Sequence, residues 1–303
     1  MWNKGPLLRE GKTKRIYQVE GKSDLVIIEN KDDITKFDNK SLTKTMQSKA
    51  RLATETACAV FEVLKKFEIP TAYRGQISET QFLAINCQMI NLEIIERRYA
   101  VGSFLSRYPG FVTTHEIPER FEEPYFEAFL KTTDGIILSR NGEEIAKLPK
   151  DIKSGLPIND PFIYNPKEPE WILKHPKLAI NDNLSNLGTI FSEDILSRDA
   201  SIPKIEKIAN KTFAVLERVL SLVDLRLIDF KIEFGLTPDN ELVIADVIDN
   251  DSWRLRTIDW RELSKELFRQ DKDMKEIQGS YEYVARMIKQ AIVREKNTII
   301  FGH

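Results

Sequence analysis

Residues 225–236 read Leu-Arg-Leu-Ile-Asp-Phe-Lys-Ile-Glu-Phe-Gly-Leu, and this stretch decides how the fold is predicted. Over residues 228–234 apolar and charged side chains alternate strictly, which is the period of a β-strand. The charged face carries Asp229, Lys231 and Glu233, about 6.5–7 Å apart along the strand. Three charges at that spacing can address one polyphosphate, metal ion or ribose together. Spacing alone does not distinguish such a face from the solvated face of an antiparallel strand.

The strand that follows breaks its own apolar pattern with one carboxylate. Leu242 and Ile244 share a face with Asp246, so a charged group occupies a position where an apolar one is expected. Burial of an unpaired carboxylate is costly, and Asp246 is therefore expected to have a cation or several hydrogen-bond donors. The adjoining segment 249–254, Asp-Asn-Asp-Ser-Trp-Arg, is rich in the oxygen ligands that suit Mg²⁺. The pattern favours a metal site here over a polar loop with one salt-bridged aspartate.

The composition limits the kinds of function to consider. The chain has 303 residues, with 45 Lys and Arg against 47 Asp and Glu, giving a formal charge of −2. This balance argues against nucleic acid or an anionic membrane as the main partner. Two cysteines and three histidines are too few for a disulfide framework, a His/Cys metal centre or a Ser-His-Asp triad. With no stretch near 18 apolar residues and no signal-peptide pattern, we expect a cytoplasmic protein whose chemistry rests on carboxylates, lysine, arginine and backbone.

Strand-like and helix-like segments are separated along the chain, which predicts an α+β fold. Eight of the 13 prolines lie in residues 118–176, which predicts extended, loop-rich chain there rather than long regular elements. The predicted elements are strands at 13–19 and 24–30, a helix at 42–67, strands at 81–85 and 88–96, a helix from Ser201, strands at 225–234 and 241–248, and a helical tail over 260–296.

The turn at Gly11-Lys12-Thr13-Lys14 is one candidate anion site. A glycine followed by two lysines at the start of a strand offers backbone N–H groups and two ammonium ions to phosphates. The segment is not a Walker A loop, which needs a longer spacing and a Gly-Lys-Ser/Thr end. A β-turn with solvated lysines explains the same residues, and the spacing favours that plainer interpretation.

Residues 97–103, Arg-Arg-Tyr-Ala-Val-Gly-Ser, are another candidate anion site. Two arginines precede a turn of small residues that ends in the hydroxyl of Ser103. The guanidinium fork and the backbone N–H groups suit a phosphate or a carboxylate. Arginines paired with surface acids are the alternative, and the sequence leaves both open.

These segments together resemble the phosphoribosylaminoimidazole-succinocarboxamide synthase (SAICAR synthetase) family. Each match is weak alone, but the matches follow the family order and extend over nearly the whole chain. The main matches are residues 11–14, 97–103, 229–235 and 245–255. The shorter ones are Thr35-Lys36-Phe37-Asp38, Phe129-Leu130-Lys131, Asn159-Asp160-Pro161 and Lys265-Glu266-Leu267-Phe268-Arg269.

The resemblance implies a fold and a reaction. The fold would have a small N-terminal β-rich domain, residues 1–95, and a larger α+β domain, residues 96–303, with ATP in the cleft between them. The reaction is a carbon–nitrogen ligation of purine biosynthesis. It joins L-aspartate to the carboxylate of 5-amino-1-(5-phosphoribosyl)imidazole-4-carboxylate (CAIR) through an acyl phosphate, giving SAICAR, ADP and phosphate. Mg²⁺ is the implied cofactor, and the oligomeric state, including a homo-oligomer, stays open.

The resemblance also implies a role for individual residues. The implied ATP-binding residues are Gly11, Lys12, Lys14, Lys231 and Glu233. The implied metal ligands are Asp246 and Glu233. The implied substrate-binding residues are Asp38, Arg97, Ser103, Lys131, Asp160, Arg254, Lys265 and Arg269. Lys231, Asp246 and Arg97 are the implied catalytic residues.

The chain departs from the family pattern at three places. Arg256 stands where many members have Trp, and Val247 stands where bacterial members often have Glu, so the second Mg²⁺ ligand stays open. The segment 132–158 is longer than the family pattern predicts, and we expect it to be a surface excursion.

Two other functions are the alternatives. An ATP-dependent carboxylate–amine ligase for a different substrate would keep Lys12, Glu233 and Asp246 but would lose the arginine pocket. A non-catalytic nucleotide- or RNA-binding module would need a basic, aromatic-rich face or would lack the metal carboxylate. The net charge of −2 and the presence of Asp246 count against such a module.

Overall fold

The computed structural model describes residues 2–35, 42–111 and 117–300. The helices of these residues are α1 (Lys49–Lys66), α2 (Ser103–Arg107), α3 (Ser192–Ile195), α4 (Ile202–Ser221), α5 (Glu266–Arg269) and α6 (Met274–Ile300). The strands are β1 (Lys4–Glu10), β2 (Lys14–Val19), β3 (Lys22–Asn30), β4 (Asp33–Thr35), β5 (Thr43–Thr45), β6 (Tyr73–Gln76), β7 (Gln81–Ile85), β8 (Gln88–Tyr99), β9 (Arg120–Leu130), β10 (Ile136–Leu138), β11 (Glu144–Lys147), β12 (Phe162–Ile163), β13 (Glu170–Lys174), β14 (Asn186–Phe191), β15 (Leu225–Leu236), β16 (Leu242–Ile244) and β17 (Trp253–Thr257).

Two antiparallel sheets dominate the structure. The smaller has five strands in the order β1-β2-β3-β7-β6, and α1 packs against it. The larger has eight strands in the order β14-β13-β12-β9-β8-β15-β16, with β17 also paired to β15. Two short hairpins, β4–β5 and β10–β11, complete the pairing in the described residues. This mixture of separate helices and antiparallel strands confirms the predicted α+β class.

Strand β15 is the centre of the larger sheet. One face packs on α4, where the rings of Phe213 and Phe230 stack with centroids 5.3 Å apart. On the other face Asp229 lies opposite Arg97 of β8 and Arg254 of β17. Asp229 and Glu233 are both buried. The predicted strand is therefore present, and its charged side is not a solvated face.

The two sheets are joined beside Asp246. Just before β6, the Ala72 N–H donates to the carbonyl of Ile244 at 2.8 Å, and the Ile244 N–H donates to the carbonyl of Pro70 at 3.0 Å. Because Ile244 ends β16, these bonds fix the chain that leads to Asp246 against the smaller sheet. The predicted domain boundary after residue 95 falls within β8, and the division into two domains stays a prediction.

Helix α4 forms as its sequence predicts. A proline in the first turn follows the N-cap Ser201, where a missing N–H costs nothing. The predicted apolar stripe is buried at Ile205, Ala209, Phe213 and Leu216. This stripe covers the α4 side of the larger sheet, so the charged side of β15 is left for the site.

Several element predictions are wrong in part. The strand predicted over 241–248 is present only as β16, so Asp246 lies beyond its end. The helix predicted from residue 42 begins at Lys49, because residues 43–45 pair with β4 instead. The proline-rich region contains the 11-residue strand β9, which tolerates Pro124 because the pairing with β8 is irregular there. The tail predicted as helical from residue 260 contains helix only in α5 and α6, and the preceding strand β17 was not predicted.

The segment 132–158 is not a surface excursion throughout. It contains the β10–β11 hairpin, and its side chains Ile137, Leu148 and Ile158 are buried members of the main hydrophobic core. The sequence did not predict this burial, because a short strand with alternating apolar side chains does not show whether they contact the core. Removal of the segment would therefore expose core residues to solvent.

Ile137→Ala is expected to lower the free energy of unfolding by about 2–5 kcal/mol, because Ile137 is 0% exposed and truncation leaves a cavity. Ile152→Ala, in the same segment, is the matched control because Ile152 is 75% exposed. Urea denaturation of both variants measures the difference. Equal, small effects would show that the segment does not contribute to the core.

Candidate active site

Lys14 and Asp246 meet across the junction of the two sheets. Lys14 Nζ lies 2.8 Å from Asp246 Oδ1, which also accepts the N–H of Val247 at 2.8 Å. Burial raises the pKa of Asp246, but the Lys14 ammonium and the Val247 N–H outweigh burial and lower it to about 2. The side chain of Asp246 is 36% exposed, so the carboxylate is ionised and still accessible to a ligand.

The turn before Lys14 brings further basic groups to the same place. The Gly11 N–H donates to the carbonyl of Lys14 at 2.9 Å and closes the turn between β1 and β2. Lys12 lies in this turn and is half-buried. Lys31 Nζ is 3.4 Å from the Gly11 carbonyl, so a third ammonium, which the sequence did not indicate, flanks the turn.

Glu233 lies on the same side of β15, next to the Lys14–Asp246 pair. Lys131 Nζ is 2.5 Å from Glu233 Oε1. Burial and the charge of Asp246 raise the pKa of Glu233 against the opposing effects of Lys131 and Lys231. The structure thus places Lys131, predicted for the substrate pocket, beside the predicted nucleotide carboxylate.

Lys231 occupies the middle of the charged face. Its Nζ is 3.0 Å from Glu93 Oε2 on the neighbouring strand β8. The negative charges of Glu93 and Glu233 raise the pKa of Lys231 against the effect of burial, so the ammonium stays charged. Glu93 was not predicted as a site residue, because its partner across the sheet cannot be read from local spacing.

Asp251 organises the loop that follows Asp246. Its carboxylate is 2.9 Å from Lys49 Nζ and 3.8 Å from Lys265 Nζ, and it accepts the hydroxyl of Tyr281 at 2.8 Å. These partners come from the start of α1, the start of α5 and the middle of α6. Lys49 was missed by sequence reasoning, because a lysine at a helix start is normally solvated, whereas this side chain is 2% exposed.

Asp229 joins two arginines at the other end of the charged face. Its Oδ2 accepts Nη1 of Arg97 and Nη1 of Arg254, both at 2.5 Å. Arg254 Nε lies 3.5 Å from Glu266, which also pairs with Arg269 at 3.0 Å. Arg254 and Arg269 therefore share the carboxylate of Glu266, and the charge of Arg269 also acts on Lys265. That these three residues bind substrate stays a prediction.

Arg97 does not fit direct contact with a substrate. Its side chain is 2% exposed, Nε donates to Glu127, and Nη1 donates to Asp229. A guanidinium enclosed by carboxylates within the protein has no open edge for a ligand. Direct contact of Arg97 with substrate stays a prediction, and Glu127 is a partner that the sequence did not reveal.

Gly102 is required by the approach of Arg254. It has a φ of 59°, and a Cβ added there would lie 2.8 Å from Arg254 Nη2. Both the left-handed backbone and the close guanidinium exclude larger residues. Ser103 follows as the first residue of α2 and is half-buried.

The last two predicted site residues have different outcomes. Asp160 has a φ of 52°, and its Oδ1 accepts the N–H of Thr132 at 2.9 Å, so it stabilises the start of the segment 132–158. Asp38 lies outside the described residues.

The fit of a Mg²⁺ ion rests on Asp246 and Glu233. No group of three or more His, Cys, Asp or Glu side chains in residues 2–35, 42–111 and 117–300 has the arrangement of a complete metal site. Mg²⁺ commonly takes one or two carboxylates and completes its coordination with water and phosphate oxygens. An accessible carboxylate beside a buried one with a raised pKa matches that need, since a cation would relieve their repulsion.

Across the parts of the chain that the structure describes, no helix is both long and apolar enough to span a membrane.

The chain is similar to known proteins over most of its length. A family model described as SAICAR synthetase matches residues 7–288. The probable multifunctional protein ADE2 of Caenorhabditis elegans is 34% identical over 273 residues, which cover 89% of this chain and 53% of that protein. A phosphoribosylaminoimidazole-succinocarboxamide synthase of Staphylococcus carnosus is 31% identical over 267 residues, covering 88% of this chain and 92% of that protein. The chain spans about half the length of the animal multifunctional relatives that it matches.

Solved structures show the same fold. A SAICAR synthetase in complex with ADP superposes with a TM-score of 0.67 and 24% identity, covering 92% of this chain and 96% of that one. A SAICAR synthase of Saccharomyces cerevisiae complexed with SAICAR superposes with a TM-score of 0.56 and 15% identity, covering 94% and 93%. At these identities the likeness confirms the predicted fold alone.

Asp251→Asn is expected to lower the free energy of unfolding by about 3–5 kcal/mol, because it leaves the buried ammonium of Lys49 without its counterion. The exposed Asp239→Asn is the control. In the folded state Lys49 and Lys265 hold the pKa of Asp251 below its usual value, despite burial, which raises it. The stabilisation is therefore complete above about pH 4 and is lost as the pH falls.

Urea denaturation at several pH values measures this dependence. A difference between Asp251→Asn and the parent chain that stays constant from pH 7 to well below pH 4 would contradict the ion-pair interpretation.

Proposed function

The chain belongs to the SAICAR synthetase family, and we propose that it joins L-aspartate to the carboxylate of CAIR while ATP becomes ADP and phosphate. The observation that carries this proposal is that different charged groups lie at the two ends of the charged face of β15. Asp246 and Glu233 lie with Lys14 at one end, and Arg254 and Arg269 share Glu266 at the other. One end suits a nucleotide with its metal, and the other suits a phosphorylated substrate.

The first end serves the nucleotide. Lys12 and Lys14 face the ATP phosphates from the smaller sheet, together with the backbone of Gly11. Glu233 binds the nucleotide, and its pairing with Lys131 fixes the position of its carboxylate. Asp246 and Glu233 would hold Mg²⁺, which when bound neutralises phosphate charge.

The second end serves the ribonucleotide. The Arg254 guanidinium and the Ser103 hydroxyl bind an anionic group of CAIR, and the fork geometry favours a phosphate or carboxylate. Lys265 and Arg269 extend the positive charge. Burial lowers the pKa of Lys265, although the Asp251 carboxylate opposes this, so a bound anion would favour its protonated form.

Lys231 lies between the two ends and addresses the main electrostatic obstacle. A carboxylate and a triphosphate repel each other as they approach, and a fixed ammonium reduces that repulsion at the point of reaction. The raised pKa of Lys231, due first to Glu93, keeps the group charged throughout the neutral pH range. This is the catalytic role that we assign to Lys231.

The reaction needs an activated carboxylate because oxide is a very poor leaving group. A CAIR carboxylate oxygen attacks the γ-phosphorus of ATP, and the bond to ADP breaks. The amine of L-aspartate then attacks the acyl carbon, loses a proton, and expels phosphate that carries the original carboxylate oxygen. Each step transfers a group between substrates, so no covalent bond to the protein is formed.

The cysteines support a route without a protein nucleophile. Burial raises the pKa of Cys58 to about 12 and that of Cys87 to about 11, so neither is a thiolate at neutral pH. His175 is buried, and its Nδ1 accepts the N–H groups of Lys177 and Leu178, which is a structural arrangement.

The proposal is tested by measuring ADP release with ATP, CAIR and L-aspartate and with each omitted in turn. Full turnover is expected only with all three, and SAICAR is the expected product. Turnover with a different carboxylate in place of CAIR, and none with CAIR, would favour the alternative ligase.

With ¹⁸O in the CAIR carboxylate, one labelled oxygen is expected in the released phosphate. Label absent from phosphate would rule out the acyl phosphate.

Asp246→Asn is expected to lower turnover at limiting Mg²⁺ by about 10–100-fold, because a neutral amide is a poor ligand for a hard cation. Glu241→Gln, an exposed change in the same hairpin, is the control. Steady-state rates are measured over a Mg²⁺ titration for both variants. A rate for Asp246→Asn equal to that of the control at low Mg²⁺ would contradict the metal assignment.

Arg254→Lys is expected to raise the KM for CAIR by about tenfold or more while leaving the KM for ATP nearly unchanged, because a point charge replaces a planar fork. Arg98→Lys is the matched control, since Arg98 forms a two-point ion pair with Glu217 on the α4 side of the same sheet. An equal rise of both KM values in Arg254→Lys would contradict the assignment.

A further inference from the structure

A chain of alternating charges runs from the core to the pocket. Its members, in spatial order, are Arg107, Glu127, Arg97, Asp229 and Arg254. Each consecutive pair is in direct contact. The first four side chains are buried, whereas Arg254 is 21% exposed at the pocket.

We propose that Asp229 and Arg97 are positioning residues that hold the Arg254 guanidinium toward the anionic group of the ribonucleotide. The inference rests on the proposed function, because it concerns the same pocket. It assigns a role to Asp229, and it replaces direct substrate contact as the role of Arg97.

The contacts of Arg254 leave one part of its fork for a ligand. Nη1 donates to Asp229, and Nε lies 3.5 Å from Glu266. Nη2 is directed toward Gly102, where an added Cβ would lie only 2.8 Å away. The guanidinium group therefore packs closely against Gly102, with Nη2 nearest, and the two carboxylates fix this orientation.

Arg97 fixes Asp229 in turn. Its Nη1 donates to the same Asp229 oxygen that Arg254 uses, while its Nε donates to Glu127. Arg97 Nη1 is also 3.4 Å from the carbonyl of Val101, which adjoins Gly102. One buried guanidinium thus contacts both the carboxylate that orients Arg254 and the turn that this arginine approaches.

The balance of charges explains why this series of ion pairs extends into the core. A buried carboxylate between two arginines is stable, but the second arginine then needs its own counterion. Glu127 supplies it and also accepts a hydrogen bond from Nη2 of Arg107, whose guanidinium packs over the rings of Phe129 and Phe162. Three arginines share these two carboxylates, and Arg254, which also lies 3.5 Å from Glu266, is the member exposed at the pocket.

The neighbouring arginine on β8 shows what an ordinary structural pair looks like. Arg98 donates to both carboxylate oxygens of Glu217 at 2.7 Å, on the α4 side of the sheet. This pair is partly buried and lies away from the pocket. It provides a matched control, because its loss should destabilise the fold without turning Arg254.

The test compares Asp229→Asn with Glu217→Gln by steady-state kinetics with ATP, CAIR and L-aspartate. The amide in Asp229→Asn keeps the size of the side chain but loses the charge that both arginines share. We expect the KM for CAIR to rise about tenfold or more in Asp229→Asn, with the KM for ATP within about twofold. Glu217→Gln is expected to leave both KM values within about twofold.

Circular dichroism and thermal unfolding establish that both variants are folded. If Asp229→Asn does not fold, Arg97→Lys is measured instead, with the same KM split expected. An unchanged KM for CAIR, or equal rises for CAIR and ATP, would overturn the positioning role. If the parent chain itself does not turn over CAIR, the proposed function fails, and that result is separate from any difference between variants.

Discussion

A charged side chain that is buried on the face of a sheet requires a counterion. Strand β15 carries Asp229, Lys231 and Glu233 on one face, and Asp229 and Glu233 are buried there. Each charge is paired with residues outside β15. Asp229 pairs with Arg97 and Arg254, Lys231 pairs with Glu93, and Glu233 pairs with Lys131. The position of these partners determines the pocket, because the partners must be fixed for the strand to be stable at all.

This constraint gives the site its two ends. Near Asp246 the carboxylates are crowded, and the pKa of Glu233 is raised by burial and by its neighbour's charge. Near Asp229 three arginines share the carboxylates of Asp229 and Glu127, and Arg254 is the member exposed at the pocket. On the proposed function, the acidic end favours a nucleotide that carries a cation, and the basic end favours an anionic substrate. The same pairings that stabilise the sheet therefore separate the two ligands.

The sequence predicted the parts of this arrangement that follow from local periodicity. The alternation in residues 228–234 predicted β15, and the carboxylate on an apolar face predicted that Asp246 would have a cation, which is Lys14. Partners that come from distant elements gave no local signal: Lys49 resembles a solvated lysine at a helix start, and Glu127 lies in a region whose prolines predicted loops. The resemblance to the family located Arg97, but only the burial of its side chain distinguishes positioning from direct contact. The core contacts of the segment 132–158 were missed for a similar reason, since short apolar runs do not reveal what they pack against.

The most direct test of where the ligands bind along β15 is a crystal structure of the protein with ADP, Mn²⁺ in place of Mg²⁺, and the ribonucleotide. Anomalous scattering identifies the Mn²⁺, and the phosphorus positions identify both ligands. We expect Mn²⁺ at the Asp246 carboxylate, the ADP phosphates next to Lys14, and an anionic group of the ribonucleotide at the guanidinium of Arg254. ADP phosphates at Arg254, or a ribonucleotide bound away from that arginine, would contradict the division of the β15 face into two ends.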